Sequence, residues 1–357
     1  MKLFFDARYI RTDFHDGISR FSTELATALS GQAHVTFIIC NIEQLKLLPL
    51  GADYVTTHTP TSVLEPFTSL RLNRYHPDVV FSPMQTMGAL GHRFKLILTL
   101  HDMIYYRHRT PPRQFNPLLR AGWWLYHATY LPQRLALNSA DLVATVSQTS
   151  KEDILAAKLT KRPVIVVLNA PQQLSQYLDN DVTTNKPKNL IYMGSFMEYK
   201  NVETLIRGME FLPGFKLHLL SRISPGRKAE LGKIIPSHAK VIFHNGVSDK
   251  EYAEKLADNA LLVSASLDEG YGLPVAEALA LGVPAVISDL PIFHEVAGEG
   301  ALYFNPTDSA DFAKKVQKAA KSSNYRELSR AGILQSQKFS WQTSATTLLE
   351  AIESLLQ

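Results

Sequence analysis

The sequence has few features of a secreted or membrane-spanning protein. Its 357 residues include a single cysteine, Cys40, which cannot form a disulfide within the chain. Its apolar runs are shorter than the roughly 18 residues needed to cross a bilayer, and the first ten residues lack a signal-peptide pattern. Low-complexity tracts and internal repeats are also absent. We therefore expect a globular protein of the cytoplasm.

Motifs of two common enzyme classes are missing as well. The loop after the first predicted strand contains Gly17 but no G-x-G-x-x-G, which argues against a nicotinamide-dependent dehydrogenase. No cluster of Asp, Glu and His has metal-ligand spacing, so a bound metal is not expected. The formal net charge is only +4, and we expect no nucleic-acid partner.

The charge is unevenly distributed along the chain. Residues 1–170 carry 18 Lys and Arg against 12 Asp and Glu, whereas the remainder carries 19 against 21. A basic first half could meet phosphorylated acceptors or a membrane surface. A slightly basic soluble surface without such a partner explains the same numbers equally well.

The chain is long enough for two domains, because single hydrophobic cores rarely extend beyond about 250–300 residues. Short apolar runs alternate with helical patterns, which predicts parallel sheets covered by helices. The predicted strands are residues 2–6, 34–40, 78–82, 95–100, 141–146 and 163–168, then 189–193, 215–220, 240–243 and 260–266. Residues 171–187 are polar and aperiodic and are predicted to link a domain over 1–170 to one over 188–340.

The most informative stretch is residues 267–289, LDEGYGLPVAEALALGVPAVISD. Pro274 stands where a helix begins, and Gly282 stands just past its end, where a left-handed cap is usual. Pro284 prevents the helix from continuing. The stretch is thus predicted to hold a strand end, a loop, a short helix and a second strand.

The helix start in this stretch is suited to an anion. Backbone N–H groups and the positive end of the helix dipole favour phosphate there, and glycines at 270 and 272 allow close approach of a ligand. Glu269 in the loop and Glu277 about one turn into the helix can face one cavity. Two carboxylates beside N–H donors suit a nucleotide-sugar, although glutamates at this spacing are common on surfaces.

The string E-G-Y-G-L-P-x-x-E-A-L-A-x-G-x-P in this stretch resembles the signature of the retaining glycosyltransferases of family four, which have the GT-B fold. The resemblance covers nearly the whole chain and is strongest over residues 188–306. It implies two Rossmann-like α/β domains facing each other across a cleft, the first binding the acceptor and the second the nucleotide-sugar. It also implies that residues 341–357 form a closing helix that crosses back onto the first domain.

The resemblance assigns roles to residues of the central stretch. Glu277 would accept hydrogen bonds from the ribose hydroxyls of the donor, and Glu269 would hold the sugar. Backbone groups that would contact the donor are those of Gly270, Tyr271, Gly272 and Leu273 for the sugar and of Gly246 and Val247 for the nucleobase.

A second donor segment, GSFMEYKN, follows the first strand of the second domain. In the family this segment often reads G-R-x-x-x-x-K, with the arginine and the lysine neutralising the leaving diphosphate. Lys200 keeps the lysine and is followed by Asn201, whereas Ser195 stands at the arginine position. Arg222, after the strand over residues 215–220, could supply the missing charge or be a solvated strand-end residue.

Two segments of the first domain also match family positions. The pattern G-I-x-R-[aromatic], which includes Gly17 and Arg20, resembles a loop near the donor diphosphate and the acceptor; without the family, Gly17 would be a turn glycine. His101 resembles a histidine that contacts the donor sugar, and Asp102 would lie on the acceptor side. A lone histidine is more often structural, but His101 directly follows a predicted strand, where parallel sheets bind ligands.

Residues 113–139 have a helical pattern rich in aromatic residues and arginine, which allows two interpretations. An aromatic stripe at helical spacing is more often part of a core, and this interpretation is favoured. A helix of this composition could instead lie at a membrane interface.

The resemblance implies a metal-independent, retaining hexosyltransferase whose catalytic groups are Glu269, His101 and Lys200. Mannose from GDP-mannose is favoured over a UDP-sugar, with no cofactor beyond this co-substrate. The acceptor would be a glycan or lipid-linked hydroxyl, used in cell-surface polysaccharide or glycolipid synthesis at the inner face of the cell membrane. Two alternatives remain: a GT-B nucleotide-sugar epimerase and a non-catalytic partner subunit. Retention of both glutamates favours the transferase.

Overall fold

The computed structural model describes residues 1–13, 16–111, 116–179 and 186–357. The chain forms two compact units, one made of Met1–Asn169 with Ser340–Gln357 and the other of Ala170–Phe339. Arg113 at the start of the predicted long helix and residues 180–185 of the predicted linker lie outside the described residues.

A seven-stranded parallel sheet forms the centre of the first unit, in the order β3-β2-β1-β4-β5-β6-β7. Its strands are β1 (Leu3–Asp6), β2 (Val35–Ile39), β3 (Asp53–Thr56), β4 (Val79–Ser82), β5 (Lys95–Thr99), β6 (Leu142–Thr145) and β7 (Val164–Val166). Its helices are α1 (Gly17–Ser30), α2 (Thr68–Leu72), α3 (Ile104–Arg107), α4 (Pro117–Ala128), α5 (Leu131–Asn138) and α6 (Gln148–Ala156).

The second unit is built around a six-stranded parallel sheet in the order β10-β9-β8-β11-β12-β13. Its strands are β8 (Asn189–Tyr192), β9 (Lys216–Leu219), β10 (Lys240–Phe243), β11 (Ala260–Ser264), β12 (Ala285–Ser288) and β13 (Ala301–Phe304). Its helices are α7 (Val202–Gly208), α8 (Pro225–Gly232), α9 (Asp249–Ala257), α10 (Leu273–Ala280), α11 (Pro291–Ala297), α12 (Ser309–Ala319) and α13 (Ser322–Ser336).

The last helix of the chain, α14 (Trp341–Leu356), belongs to the first unit. It packs against α1, where the Trp341 ring meets the edge of Phe21 at a centroid distance of 5.8 Å. The Ser344 hydroxyl donates to the carbonyl oxygen of Leu168 over 2.6 Å. The α/β fold with two parallel-sheet units and a returning last helix is therefore confirmed.

Most strands could be predicted from the sequence because they are buried on both faces of the sheet. Central strands such as β1 and β11 consist entirely of buried residues, as parallel sheets covered by helices require. The edge strand β3 was not predicted, because its sequence DYVT lies mostly exposed and has no apolar run. The short β13 was also missed, since two of its four residues are only half-buried.

The helix predicted over residues 113–139 is divided into α4 and α5. Thr129 is extended at the break, and Pro132 lies in the first turn of α5, where a missing N–H is tolerated. The favoured expectation of a core helix is wrong for α4, which contains no buried residue.

The strand order reverses once in each sheet. In the first unit the chain moves outward from β1 to β3 and resumes at β4 on the other side of β1; in the second it does the same from β8 to β10 and resumes at β11. Loops leaving the two strands at such a reversal turn in opposite directions and open a crevice at their carboxyl ends. Ligand sites are therefore expected beyond β1 and β4 and beyond β8 and β11.

A buried charge network lies beyond the first reversal. The Arg8 guanidinium donates to Asp6 through Nε (2.7 Å) and Nη2 (2.8 Å) and to Glu65 through Nη1 (2.7 Å) and Nη2 (2.9 Å). The Ser82 hydroxyl, at the end of β4, donates to Asp6. Burial opposes the charge on Arg8, but Asp6 and Glu65 outweigh it and raise the pKa of the guanidinium. The network thereby ties β1 and β4 to the loop after β3.

Replacing Arg8 with Met should destabilise the first unit by about 3–5 kcal/mol, because two buried carboxylates would lose their counter-charge. The measurement is urea unfolding, with Arg71→Met as the control because Arg71 is exposed in the same unit. A loss of less than about 1 kcal/mol for Arg8→Met would contradict this account of the network.

Candidate active site

Lys200 and Glu269 meet beyond the reversal between β8 and β11. Lys200 ends a 3-10 helix, Glu198–Lys200, in the loop after β8, and its ammonium forms an ion pair with Oε1 of Glu269 in the loop after β11. The Ser266 hydroxyl donates to the same oxygen over 3.0 Å. Both charged side chains are largely shielded, with 14% and 13% exposure, so water screens their interaction weakly. The ion pair thus joins the loops after β8 and β11 at the place where a ligand is expected.

The turn after β8 is supported from beneath by Tyr192. Its hydroxyl donates to the carbonyl oxygen of Ser195 over 2.5 Å, and a Cβ at Gly194 would lie 2.8 Å from that hydroxyl. Burial, with a contribution from the charge of Glu269, raises the pKa of Tyr192 well above its usual value, so it stays a neutral donor. The Gly194 N–H donates to the Ser221 hydroxyl beyond β9.

Asn201, predicted to bind the donor, is engaged in holding loops together. It has a left-handed backbone conformation with φ of 49°, and its amide donates to the carbonyl oxygens of Ala265 (3.1 Å) and Pro306 (2.6 Å). Its Oδ1 accepts from the Thr204 hydroxyl. Because both amide hydrogens are used, the geometry favours a positioning function over donor contact.

Helix α10 begins at the loop that carries Glu269. Gly272 precedes it with φ of 93°, and a Cβ there would lie 2.7 Å from the Phe293 ring, so only glycine fits without strain. Tyr271 is buried edge-on against Phe339, at a centroid distance of 5.9 Å, and burial raises the pKa of its hydroxyl. Any contact of Tyr271 with a ligand would therefore come from its backbone. Leu273 is the first residue of the helix.

Glu277 lies on α10, one turn beyond the helix start. Its exposure is only 2%, so its carboxylate lies in the interior of the second unit. Gly282, just past this helix, has φ of 73°, as predicted for its cap. A buried carboxylate on a helix that starts at the crevice is suited to accept hydrogen bonds from hydroxyl groups.

Arg222 lies against the loop after β10. A Cβ at Gly246, whose φ is 104°, would meet the Arg222 Cγ at 3.0 Å. The neighbouring Ile223 N–H donates to Oδ1 of Asn245, which fixes the backbone beside Arg222. Val247 follows Gly246 and precedes the cap of α9. The structure thus brings Arg222, Gly246 and Val247 together, and Ser221 links them to the turn that contains Ser195.

In the first unit, Gly17 and Arg20 lie in the opening turns of α1. Asp16 caps this helix by accepting from the Ser19 N–H over 2.9 Å, and its other oxygen forms an ion pair with Arg11. Gly17 is exposed, and Arg20 is half-buried. The preceding residue of the predicted loop, His15, lies outside the described residues.

His101 follows β5 and lies beside α1. Its Nε2 donates to the carbonyl oxygen of Pro83 over 2.8 Å, and its ring meets Phe21 edge-on at a centroid distance of 5.0 Å. Burial lowers the pKa of His101 despite opposing effects of Pro83 and Asp16, so the ring is neutral at pH 7. This hydrogen bond fixes the proton on Nε2 and leaves Nδ1 as an acceptor. Asp102 accepts from the Ile104 N–H over 2.9 Å and supports α3.

Three residues at these sites were not identified from the sequence. Ser266 and Tyr192 both support the Lys200 and Glu269 pair, but serine and tyrosine at strand ends are too common to single out. Tyr105 lies near the charges of Asp102 and Asp16, which, after burial, raise the pKa of its hydroxyl. Tyr105 could have been identified from the sequence, because it lies three residues after Asp102 in the same segment.

Among the described residues, no group of three or more His, Cys, Asp or Glu side chains is arranged to hold a metal ion. Nor does the described part of the chain contain a helix with the length and apolarity needed to span a membrane.

Two family models match the chain over adjacent segments. Glycosyltransferase Family 4 matches residues 15–170, and Glycosyl transferases group 1 matches residues 178–335. Together they cover every strand of the two sheets except β1. The chain belongs to the family-four glycosyltransferases.

Named relatives and a solved structure agree with this membership. The O-antigen chain mannosyltransferase RfbU of Salmonella typhimurium is 24% identical over 84% of this chain and 86% of its own length. The serotype-specific mannosyltransferase WbdA of Escherichia coli is 22% identical over 87% of this chain, which spans only 41% of WbdA. The Anabaena protein Alr3699/HepE, solved with UDP and glucose, has a TM-score of 0.72 and 17% identity, with 99% of this chain and all of HepE covered. The fold of this glycosyltransferase is therefore GT-B.

Replacing Gly272 with Ala should distort the start of α10, because the new Cβ would meet Phe293 and the residue would keep a positive φ. We expect a loss of about 1–3 kcal/mol in stability of the second unit. Gly226→Ala is the matched control, since nothing lies within 4 Å of a Cβ there. Thermal unfolding of both variants measures the difference; equal melting temperatures would contradict the constraint at Gly272.

Proposed function

We propose that this glycosyltransferase is a metal-independent, retaining hexosyltransferase that moves mannose from a nucleoside-diphosphate sugar to a glycan or lipid-linked hydroxyl. The observation that carries the proposal is the Lys200 and Glu269 ion pair beyond the reversal between β8 and β11, next to the start of α10. This arrangement supplies a cation, a carboxylate and a helix N-terminus where an open α/β sheet binds its ligand.

The donor's parts fit these groups in order. Glu277 would accept the ribose hydroxyls, and the loop from Glu269 to Leu273 would hold the sugar. Lys200 would turn from Glu269 toward the diphosphate when the donor binds, because a diphosphate carries more charge than one carboxylate. A preorganised cation and a helix dipole at this point stabilise the charge that develops as the nucleoside diphosphate leaves.

The transfer step exchanges one bond at the anomeric carbon for another. The bond from this carbon to the phosphate oxygen breaks while a bond to the acceptor oxygen forms on the same face of the sugar. The proton of the acceptor hydroxyl passes to the departing phosphate oxygen, so no protein base is needed. Glu269 would position the sugar and Lys200 would offset the new negative charge.

The residue of the first unit that would contact the sugar is His101, as a neutral ring. Because His101 is uncharged and its Nε2 proton is held by Pro83, its Nδ1 could accept a hydrogen bond from a sugar hydroxyl. Arg20 and Asp102 would contact the acceptor, and Gly17 would approach the diphosphate. An acceptor attached to lipid would bring the enzyme, as a cytoplasmic peripheral protein, to the inner face of the membrane.

GDP-mannose is the proposed donor, supported by the mannosyltransferase names of RfbU and WbdA. HepE was solved with UDP, so the nucleobase needs its own support. Arg222 lies beside Gly246, whose backbone would contact the base if this site follows the family pattern. A guanidinium can donate two parallel hydrogen bonds to O6 and N7 of guanine, and uracil offers no such pair.

Neither alternative interpretation gains a specific observation in its favour. An epimerase would isomerise the donor without an acceptor, and a non-catalytic subunit would not need a shielded pair of Lys200 and Glu269. Both named relatives above are transferases.

Glu277→Ala should lower kcat/KM for transfer on the order of 100-fold, because hydrogen bonds to a charged acceptor contribute about 1.5–3 kcal/mol each. Release of nucleoside diphosphate in the presence of acceptor measures this. Glu327→Ala, an exposed glutamate in the same unit, is the matched control. Turnover near that of the unchanged protein would refute the assignment of Glu277.

Arg222→Met should weaken GDP binding about 5- to 150-fold and leave UDP binding nearly unchanged, since a bidentate contact to guanine contributes about 1–3 kcal/mol. Calorimetry with GDP, UDP and 7-deaza-GDP tests this, because 7-deaza-GDP lacks the N7 acceptor. The unchanged protein should bind 7-deaza-GDP more weakly than GDP, and the variant should not distinguish them. An equal loss for GDP and UDP would instead assign Arg222 to the diphosphate.

A further inference from the structure

Three consecutive backbone N–H groups in the turn after β8 have no hydrogen-bond acceptor within the described part of the chain. They belong to Ser195, Phe196 and Met197. By contrast, the preceding Gly194 N–H donates to the Ser221 hydroxyl over 3.0 Å. A row of unpaired N–H donors is suited to an anion, because each donor adds a partial positive charge.

Arg227, in the first turn of α8, holds the carbonyl oxygen of Phe196. Its Nε donates to this oxygen over 3.2 Å, and its Nη2 forms an ion pair with Glu203 on α7. Its Nη1 donates to Glu230, three residues further along α8. The Arg227 side chain is only 13% exposed, so it has little room to turn away. The peptide group between Phe196 and Met197 is therefore held from one side by a charged side chain.

The strand order determines where the other end of this peptide group points. Helix α8 follows β9, on one side of β8, whereas Glu269 follows β11, on the other side. The peptide bond is trans, so its C=O and its N–H point in opposite directions. Because Arg227 draws the Phe196 carbonyl toward β9, the Met197 N–H is directed toward β11, where Lys200 meets Glu269.

We propose that the Met197 N–H donates a hydrogen bond to the leaving diphosphate, with Arg227 as its positioning residue. The inference rests on the proposed function and adds a contact to the same site. Ser195 provides no charge there, so an oriented backbone donor supplies part of the neutralisation. The orientation comes from Arg227 and not from a helix dipole, because the 3-10 helix that follows has only three residues. A donor fixed before the reaction stabilises the developing charge without reorganising.

Proline at position 197 removes this N–H with little change in the backbone. Met197 has φ of −66°, close to the value that proline imposes, and its N–H has no partner within the described chain to lose. Met197→Ala is the matched control, because it also removes the half-buried thioether but keeps the N–H. In thermal unfolding, we expect both variants to be folded and Met197→Pro to be no less stable than Met197→Ala.

Calorimetry with GDP, UDP and inorganic pyrophosphate measures the contact without turnover. Met197→Pro should bind pyrophosphate and the preferred nucleoside diphosphate about 10- to 100-fold more weakly than Met197→Ala does, because a hydrogen bond to a charged group contributes about this factor. In the unchanged protein, the backbone amide proton of Met197 should shift downfield in NMR spectra when either ligand is added.

Arg227→Met should weaken binding of the same diphosphates about 3- to 10-fold, because the hydrogen bond that orients the peptide group is lost. Arg207→Met is the control, since Arg207 is exposed on α7 of the same unit. In a chain that already contains Met197→Pro, Arg227→Met should have no further effect on binding, because the donor that it positions is gone. A merely structural function of Arg227 would give the same loss in both backgrounds.

Three outcomes would overturn this inference and leave the proposed function intact. They are equal pyrophosphate affinity of Met197→Pro and Met197→Ala, an equal effect of Arg227→Met in the two backgrounds, and an amide signal of Met197 that does not move. The NMR measurement uses the unchanged protein and therefore does not depend on the folding of a variant. An unchanged protein that binds none of GDP, UDP and pyrophosphate would refute the donor site itself, and the inference with it.

Discussion

The ion pair of Lys200 and Glu269 depends on a constraint of parallel sheets: all strands end at the same edge, and a crevice opens only where their order reverses. Lys200 follows β8 and Glu269 follows β11, the two strands at the reversal. A lysine placed one strand further out would meet no such opening. The strand order therefore determines where the site lies, and the side chains at that position come second.

The supporting residues act on this pair through backbone geometry. Asn201 joins the loops after β8, β11 and β13 by its amide, and Tyr192 holds the turn after β8 from below. Gly272 lets the backbone pass Phe293 and enter α10. Each of these residues limits how far Lys200 and Glu269 can drift when no donor is bound. Such restraint matters because a positioned cation stabilises a developing charge without reorganising.

Much of this arrangement could be predicted from the sequence because it rests on local signals. Buried strands have apolar runs, and Pro274 and Gly282 bound a helix by their own backbone limits. Most strands of both sheets and the helix after Gly272 could therefore be predicted from the sequence. The string around Glu269 and Glu277 added the family, which the two family models confirm.

Features that depend on contacts between residues far apart in the chain could not be predicted from the sequence. The exposed edge strand β3 has no apolar run, and Glu65, a partner of Arg8, lies 57 residues from it in the chain. The sequence suggested Arg222 as a replacement for the positive charge missing at Ser195. Its contact with Gly246 could not be predicted, because this contact depends on how β9 and β10 pair. The aromatic pattern around Trp123 was interpreted as core because periodicity reports which side is apolar and not whether anything covers it.

The return of α14 to the first unit has a consequence for synthesis on the ribosome. Residues 1–169 emerge first, yet Phe21 on α1 contacts Trp341, which is translated only after the whole second unit. The second unit can complete its core while α1 still has an uncovered apolar side. The first unit is thus synthesised first but completes its packing last. Its incompletely packed form is the one that would be exposed to chaperones.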